Sequence, residues 1–244
     1  MPVMENELLR SHDGHVTRLT LNRPGKANAL SASLVEALID AIEYACTDGT
    51  RLMIFDGNGN HFCAGFDFTG YLEASEGDLV LRFVRIEHLL QQIYHAPFMT
   101  LVLAHGRIFG AGADLVCTCS TRIAAPGTTF RMPGLRFGLV LGTRRLAERV
   151  GTDAARDVLA TSRTFDADEA IKLGFVTQIA AHTDWPQLAD AARTASGALT
   201  PPSLARLNGQ TVSDTRAADM AALAQSASVP GLKERIRIFR DQKA

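Results

Sequence analysis

An apolar, strand-like run from Phe98 to Leu103 leads into the glycine-rich stretch Gly106-Arg-Ile-Phe-Gly-Ala-Gly-Ala-Asp114, which opens onto Leu115, Val116 and Cys117. A strand that turns on glycines into a buried helix commits this part of the chain to a tight β-to-α junction. Such a junction leaves backbone N–H groups unpaired at the positive end of the helix dipole. It is suited to hold something negative, either an anion or the oxygen of a polarised carbonyl. Asp114 falls about one helical turn in, within reach of a proton on whatever is held there. A dinucleotide fingerprint is excluded, because Leu115 occupies the third glycine position and no acidic residue near Leu135 could take a ribose. The competing reading is that the glycines only permit close helix–strand packing.

A second stretch favours chemistry. His61-Phe-Cys-Ala-Gly-Phe-Asp67 follows the apolar run Leu52 to Phe55 and the turn Asp56-Gly-Asn-Gly-Asn60. It reads as another short strand ending at glycine, with an exposed N–H just after Gly65. Two strand-end turns, each offering one N–H, form what a two-donor oxyanion hole needs, and each donor is worth a factor of ~10²–10³ in rate.

Asn22-Arg-Pro-Gly-Lys-Ala-Asn-Ala-Leu30, Phe62 to Asp67 and Gly106 to Asp114 stand in an order and spacing that resembles the crotonase superfamily, the enoyl-CoA hydratase/isomerase family. Pro133, Gly142 to Leu146, Val150-Gly151 and Ala170 to Val176 are similar to it as well, so the likeness covers nearly the whole chain. The resemblance implies an α/β fold built as a spiral of ββα units. It further implies an acyl-CoA core over residues 1–181 and a C-terminal helical oligomerisation region over 182–244, forming a homotrimer or a dimer of trimers. The substrate would be an acyl-CoA thioester, with coenzyme A as part of the substrate and no separate metal or redox cofactor.

Carried over position by position, the resemblance makes the backbone N–H groups of Phe66 and Ala111 the oxyanion donors, and Asp114 the acid/base. Lys26, Ala27, Ala29, Ala64, Asp67, Phe68, Gly110, Pro133 and Gly134 fall where the family holds its CoA ester. Phe239 falls where an aromatic lies beside the adenine; a core or interface Phe is the competing reading. Alanine at 111 keeps its N–H, and Phe66, bulkier than the usual alanine, would line the acyl pocket. The departure lies in the acid/base pair. Hydratases of the family use two glutamates; Asp114 matches the first, but the second position is Gly134, and no Asp or Glu occurs from Leu115 through Ala147.

Three functions therefore remain open. Asp114 could work alone on an enolate, in isomerisation or hydration of an enoyl-CoA. A carboxylated substrate met by Arg131, Arg136 or Arg144 could undergo decarboxylation or C–C cleavage. The chain could also be a non-catalytic acyl-CoA-binding protein.

The remaining features bound these choices. Twenty-five basic against 26 acidic residues give a formal charge of -1, so a nucleic-acid surface is not expected. Arg235, Arg237 and Arg240 form a short basic cluster, read as a solvated face or a phosphate contact. Cys46, Cys63, Cys117 and Cys119 lack ligand spacing and read as free, buried thiols. Cys63 beside His61 has no evident third group to make it a nucleophile. The scattered histidines suggest no metal site. Met1 to Ser11 carries Glu5 and Glu7 without an apolar core, and no run approaches a membrane span, so a cytoplasmic protein is expected.

Periodicity predicts a strand at Val16, a helix capped by Ser31, and a strand near Met53. It then predicts a helix from Leu81 to Ile93 and short strands near Ile123 and Phe130. Helices follow near 143–150, 152–161 and 166–173, then a strand over Phe175 to Ile179. Beyond Ala181 the chain reads as helical, with breaks at Pro186, Pro201, Pro202 and Pro230.

Overall fold

The structure is a computed structural model that describes residues 6–242; the start of the Met1–Ser11 stretch, including Glu5, lies outside them. The first strand, β1 (Leu8–Asp13), pairs antiparallel with β2 (Val16–Leu21). Ser31 then caps α1 (Ala32–Ala45) by accepting the Leu34 N–H, as the sequence indicated. β3 (Leu52–Gly57), running two residues into the expected turn, adds parallel to β2. Ser75 and Asp78 form a capping box that starts α2 (Glu76–Tyr94). β4 (Met99–Ala104) pairs parallel with β3, and its inner residues are buried on both faces, as a continuous apolar run requires.

The glycine-rich stretch proves richer than a turn. It holds a short strand, β5 (Arg107–Phe109), before α3 (Ala111–Thr118), whose every residue is buried. β6 (Thr121–Ala124), β7 (Thr129–Arg131), α4 (Thr143–Val150), α5 (Thr152–Thr161), β8 (Thr164–Asp166), α6 (Ala167–Lys172) and β9 (Gln178–Ile179) follow. The strands form a six-stranded sheet in the order β1-β2-β3-β4-β6-β9 and a three-stranded sheet β5-β7-β8.

β9 is shorter than the strand expected over 175–179. The N–H groups of Phe175 and Val176 both bond back to Ala170 O at the end of α6, so neither is free for the sheet. After β9 the chain is helical in α7 (Trp185–Gly197), α8 (Pro201–Thr211), α9 (Arg216–Ala227) and α10 (Leu232–Asp241). Pro186, Pro201 and Pro202 start helices here rather than breaking them, since proline is tolerated in the first turn. α7 packs on β3 and β4, α9 on α2, and α10 on the 3₁₀ turn Gly134–Phe137.

Among the cysteines, Cys63, Cys117 and Cys119 are buried, but Cys46 is exposed, against the expectation. Cys46 follows directly on α1, past the last buried position of that helix at Ala45. No helix among the described residues is long and apolar enough to cross a membrane.

Candidate active site

The stretch 61–67 is not a strand. A single parallel bridge joins Phe66 to Leu30. Leu30 N–H bonds to Gly65 O, and Asp67 N–H bonds to Leu30 O. In a parallel bridge these flanking groups face the partner, so the N–H of Phe66 itself lies on the opposite side. Ala64 N–H bonds to Ala27 O, which fixes the start of the turn. Asn28 organises the other side: it is fully buried, accepts the Arg23 N–H, and donates to Asn58 O and His61 O.

Glycines bring this turn against the entry to α3. A Cβ on Gly65 (φ +82) would lie 2.3 Å from Phe109 O and 3.2 Å from Ala111 N, while one on Gly112 would lie 2.3 Å from Cys63 O. Phe109 N–H also reaches Cys63 O at 3.3 Å. Ala111 is the first residue of α3, where a helix N–H has no intrahelical acceptor.

Both turns open on a cavity of about 450 Å³, lined by Phe66, Ala111 and Asp114. Most of its remaining wall is apolar, including Phe83, Met132, Phe137, Leu139, Leu141 and Leu159. The Phe66 ring stacks on Phe83 at 4.4 Å, with the Arg82 guanidinium 4.2 Å over it, so its position is fixed on two sides.

Asp114 is 4% exposed, and its Oδ1 is buried with no hydrogen-bond partner. Burial pushes its carboxyl up to about 8; the nearby Arg145 charge restrains that rise and Glu87 adds to it. Arg145 and Glu87 pair through two bonds of 2.8 and 2.6 Å, with Asp219 Oδ2 at 3.6 Å from Arg145. Burial works against the Arg145 charge, but Glu87 outweighs it and holds the guanidinium firmly protonated.

Gly142 (φ +64), the residue before α4, stands against Asp114: a Cβ there would come within 1.9 Å of Asp114 Oδ1. Gly142→Ala is therefore expected to disable the site by displacing the carboxylate. It should also cost at least ~1–2 kcal/mol through the left-handed backbone alone. Thermal unfolding and steady-state turnover measure both effects, and wild-type values for both would refute this reading of the contact.

Of the other residues singled out from the sequence, Lys26, Ala29, Ala64, Asp67, Phe68, Gly110, Pro133, Gly134 and Phe239 all line the same cavity. Ala27 is not among the lining residues; it contributes its carbonyl to the Ala64 turn. Asp67 is tied down by Arg23 at 2.9 Å and by the Thr69 N–H. Although burial raises its pKa, these contacts outweigh burial and hold the carboxyl below its ordinary value. Phe239 is 7% exposed, beside Phe137 with ring centroids 5.1 Å apart.

In the basic cluster, Arg235 bonds to the carbonyls of Phe137, Val229, Pro230 and Ser226, and Arg237 pairs with Glu234 and Asp241. Arg240 lines the cavity together with Lys26. Arg131, Arg136 and Arg144 are not in the cavity wall; Arg131 bonds to Ser162 O and Arg144 to Asp219. Cys63 is buried, which pushes its thiol up to about 12, and His61 Nδ1 accepts the Arg107 N–H. Those partners leave no nucleophile–base pair. No group of three or more His, Cys, Asp or Glu suited to a metal ion occurs among the described residues.

The sequence matches the enoyl-CoA hydratase/isomerase family over residues 11–230. The chain belongs to this family. A crystal structure assigned as an enoyl-CoA hydratase/isomerase from Bordetella parapertussis superposes with a TM-score of 0.95 at 52% identity, covering 96% of this chain and 98% of that one. A Mycobacterium leprae protein named as the enoyl-CoA hydratase echA6 is 32% identical over 176 residues, 69% of either chain. The 2,3-dehydroadipyl-CoA hydratase of Escherichia coli is 30% identical over 181 residues, 71% of this chain and 69% of that one.

The sequence singled out neither Thr143, which lines the cavity, nor Glu87 and Arg145, whose charges act on Asp114 from outside it. Glu87 and Arg145 sit 58 positions apart, and only the packing of α2 on the α3–α4 segment joins them. A neighbour for Gly134 also becomes evident: a Cβ there would lie 3.1 Å from Leu139 O, so the short 137–142 loop crowds the position that would carry a second carboxylate.

Proposed function

We propose that this protein is an acyl-CoA enzyme that moves a proton at the carbon next to a thioester carbonyl, with Asp114 as the sole acid/base. The observation that carries this reading is the buried Asp114 carboxyl, its Oδ1 without a partner, on a residue that lines the same cavity as the abutting turns of Phe66 and Ala111. The thioester oxygen would accept from Phe66 N–H and Ala111 N–H, and the enolate formed on proton transfer would be held there. A carboxyl poised near 8 serves as base in one direction and acid in the other. One such group suffices to shift a double bond of an enoyl-CoA. It also suffices to add water across one: the water oxygen bonds to the β-carbon, Asp114 takes a water proton, and the α-carbon receives a proton from Asp114.

Coenzyme A would belong to the substrate, with Lys26 and Arg240 placed at the cavity for its phosphates. The wall around Asp114 favours an uncharged acyl chain. The Escherichia coli relative is named for a carboxylated substrate, but Arg131, Arg136 and Arg144 do not line the cavity here. This weighs against a decarboxylase or lyase acting on such an ester. A homotrimer or a dimer of trimers through 182–244 is part of the same proposal, tested by light scattering against the 26.3 kDa chain mass.

The direct test is exchange of the α-protons of butyryl-CoA in heavy water, alongside turnover of 2-enoyl- and 3-enoyl-CoA followed by mass spectrometry. Exchange that depends on Asp114 supports the proposal; neither exchange nor turnover would overturn it. Ala111→Pro removes one donor at a helix position where proline is accepted. It is expected to lower kcat/KM by ~10²–10³. An unchanged rate would take Ala111 out of the oxyanion hole.

A further inference from the structure

Phe66, Phe68, Phe83, Phe109, Phe137 and Phe239, six of the chain's 12 phenylalanines, line the cavity. Five of them stand in one continuous series of ring contacts. Phe68 meets Phe66 edge-on at 5.0 Å, Phe66 stacks on Phe83 at 4.4 Å, Phe83 lies 6.5 Å from Phe137, and Phe137 lies 5.1 Å from Phe239. The series runs from the turn at Phe66 through α2 and the 3₁₀ turn Gly134–Phe137 to α10, segments far apart in the chain. Phe130, Phe165 and Phe175 also touch one another, but they are enclosed in the core and line no part of this cavity. The cavity series therefore does more than fill space: it gives the void a wall of rings, to which Met132 adds a thioether.

We propose that the acyl end of this cavity takes an uncharged aryl group, so that the preferred substrates are aryl-substituted acyl-CoA thioesters and Phe83 and Phe137 set that preference. The inference rests on the acyl-CoA reading above and names its substrate class. An aryl group on the substrate adds a ring to the series, in an offset or edge-to-face contact worth a factor of ~2–10 in affinity beyond the area it buries. The Met132 thioether also favours contact with a ring. A straight chain gains burial only, and it loses torsional freedom that a rigid ring never had. Phe66 is assigned to the oxyanion hole, and Phe239 precedes Arg240 at the phosphate end, which leaves Phe83 and Phe137 for the acyl group.

Isothermal titration of 3-phenylpropanoyl-CoA against 3-cyclohexylpropanoyl-CoA, with butyryl-CoA as the reference, tests this on the intact protein. The two ring esters have equal carbon counts, and the cyclohexyl ester offers at least as much apolar surface, so burial alone would favour it. Wild type is expected to bind the phenyl ester tighter by ~2–10-fold, the value of about one ring pair. Phe83→Leu and Phe137→Leu should each remove most of that preference, and one folded variant suffices for the comparison. Equal or tighter binding of the cyclohexyl ester by wild type overturns the aryl assignment, as does a preference left intact in either variant. Binding of butyryl-CoA in those cases keeps the acyl-CoA reading. If no ester binds wild type, both fall together.

Discussion

Asp114→Asn is expected to lose ~10²–10⁴ in kcat/KM and at the same time to make the protein more stable. The two effects have one cause. Asp114 is almost fully enclosed, its Oδ1 has no partner, and burial raises its carboxyl from the ordinary 3.8 to about 8. The folded state thus keeps a proton that the unfolded chain has already released. A group raised in this way contributes its full stability below about 4, and that contribution is lost progressively as pH climbs through about 8.

An amide of the same shape does not ionise, so it removes the pH-dependent loss while keeping the volume. The melting temperature of Asp114→Asn should therefore exceed that of wild type by a margin that widens between about pH 5 and about pH 8. A constant margin would mean that the carboxyl is not held neutral by burial. In wild type, kcat/KM should fall about tenfold per pH unit below about 8, because the base form is the minor one there. Affinity for a saturated acyl-CoA should change little in the variant. Undiminished turnover would remove Asp114 from the chemistry altogether.

Asp114 was legible in the sequence because its evidence is local. A strand-like run, glycines at the turn and an apolar helix after it are adjacent in the chain, and they place the carboxylate about one turn in. Ser31 as a cap and the long helix up to Ile93 were readable for the same reason. The short strands β5 and β8 were not, since β5 lies inside the glycine-rich stretch that reads as a turn and β8 fills the short gap between two helices. Cys46 was misjudged because periodicity marks the buried face of α1 but not where that face ends.

The larger omission was the charge cluster behind Asp114. Read along the chain, Glu87 is one acidic residue on an amphipathic helix and Arg145 one basic residue in a polar one. Nothing in either segment says that each buries its charge on the other. The search for a second carboxylate was confined to the residues near Gly134, and the buried carboxylate closest in effect to Asp114 came from a different helix. It is already committed to Arg145, so it tunes the acid/base and does not replace the missing one.

That tuning gives the second large effect. Glu87 is fully buried, and it also accepts from Gln91 Nε2 at 2.8 Å, while Asp219 on α9 accepts from Thr215 and Arg144. Removing one partner of a buried ion pair leaves the other charge uncompensated, at a cost of ~3–5 kcal/mol. Glu87→Gln and Arg145→Met should each destabilise by about that much in urea unfolding. The pH profile separates them, because the two charges act on Asp114 in opposite directions. Without Glu87, the Arg145 charge acts on Asp114 unopposed, so the acid limb of kcat/KM should move below about 8; without Arg145 it should move above. The double variant Glu87→Gln/Arg145→Met carries no buried charge at this pair. It should lie closer to wild type in stability than either single variant, so the two losses fall short of additive by at least ~3 kcal/mol, since residues in one network do not act additively. Additive losses, or acid limbs that shift the same way in both single variants, would show that the pair props the fold without setting the proton affinity of Asp114.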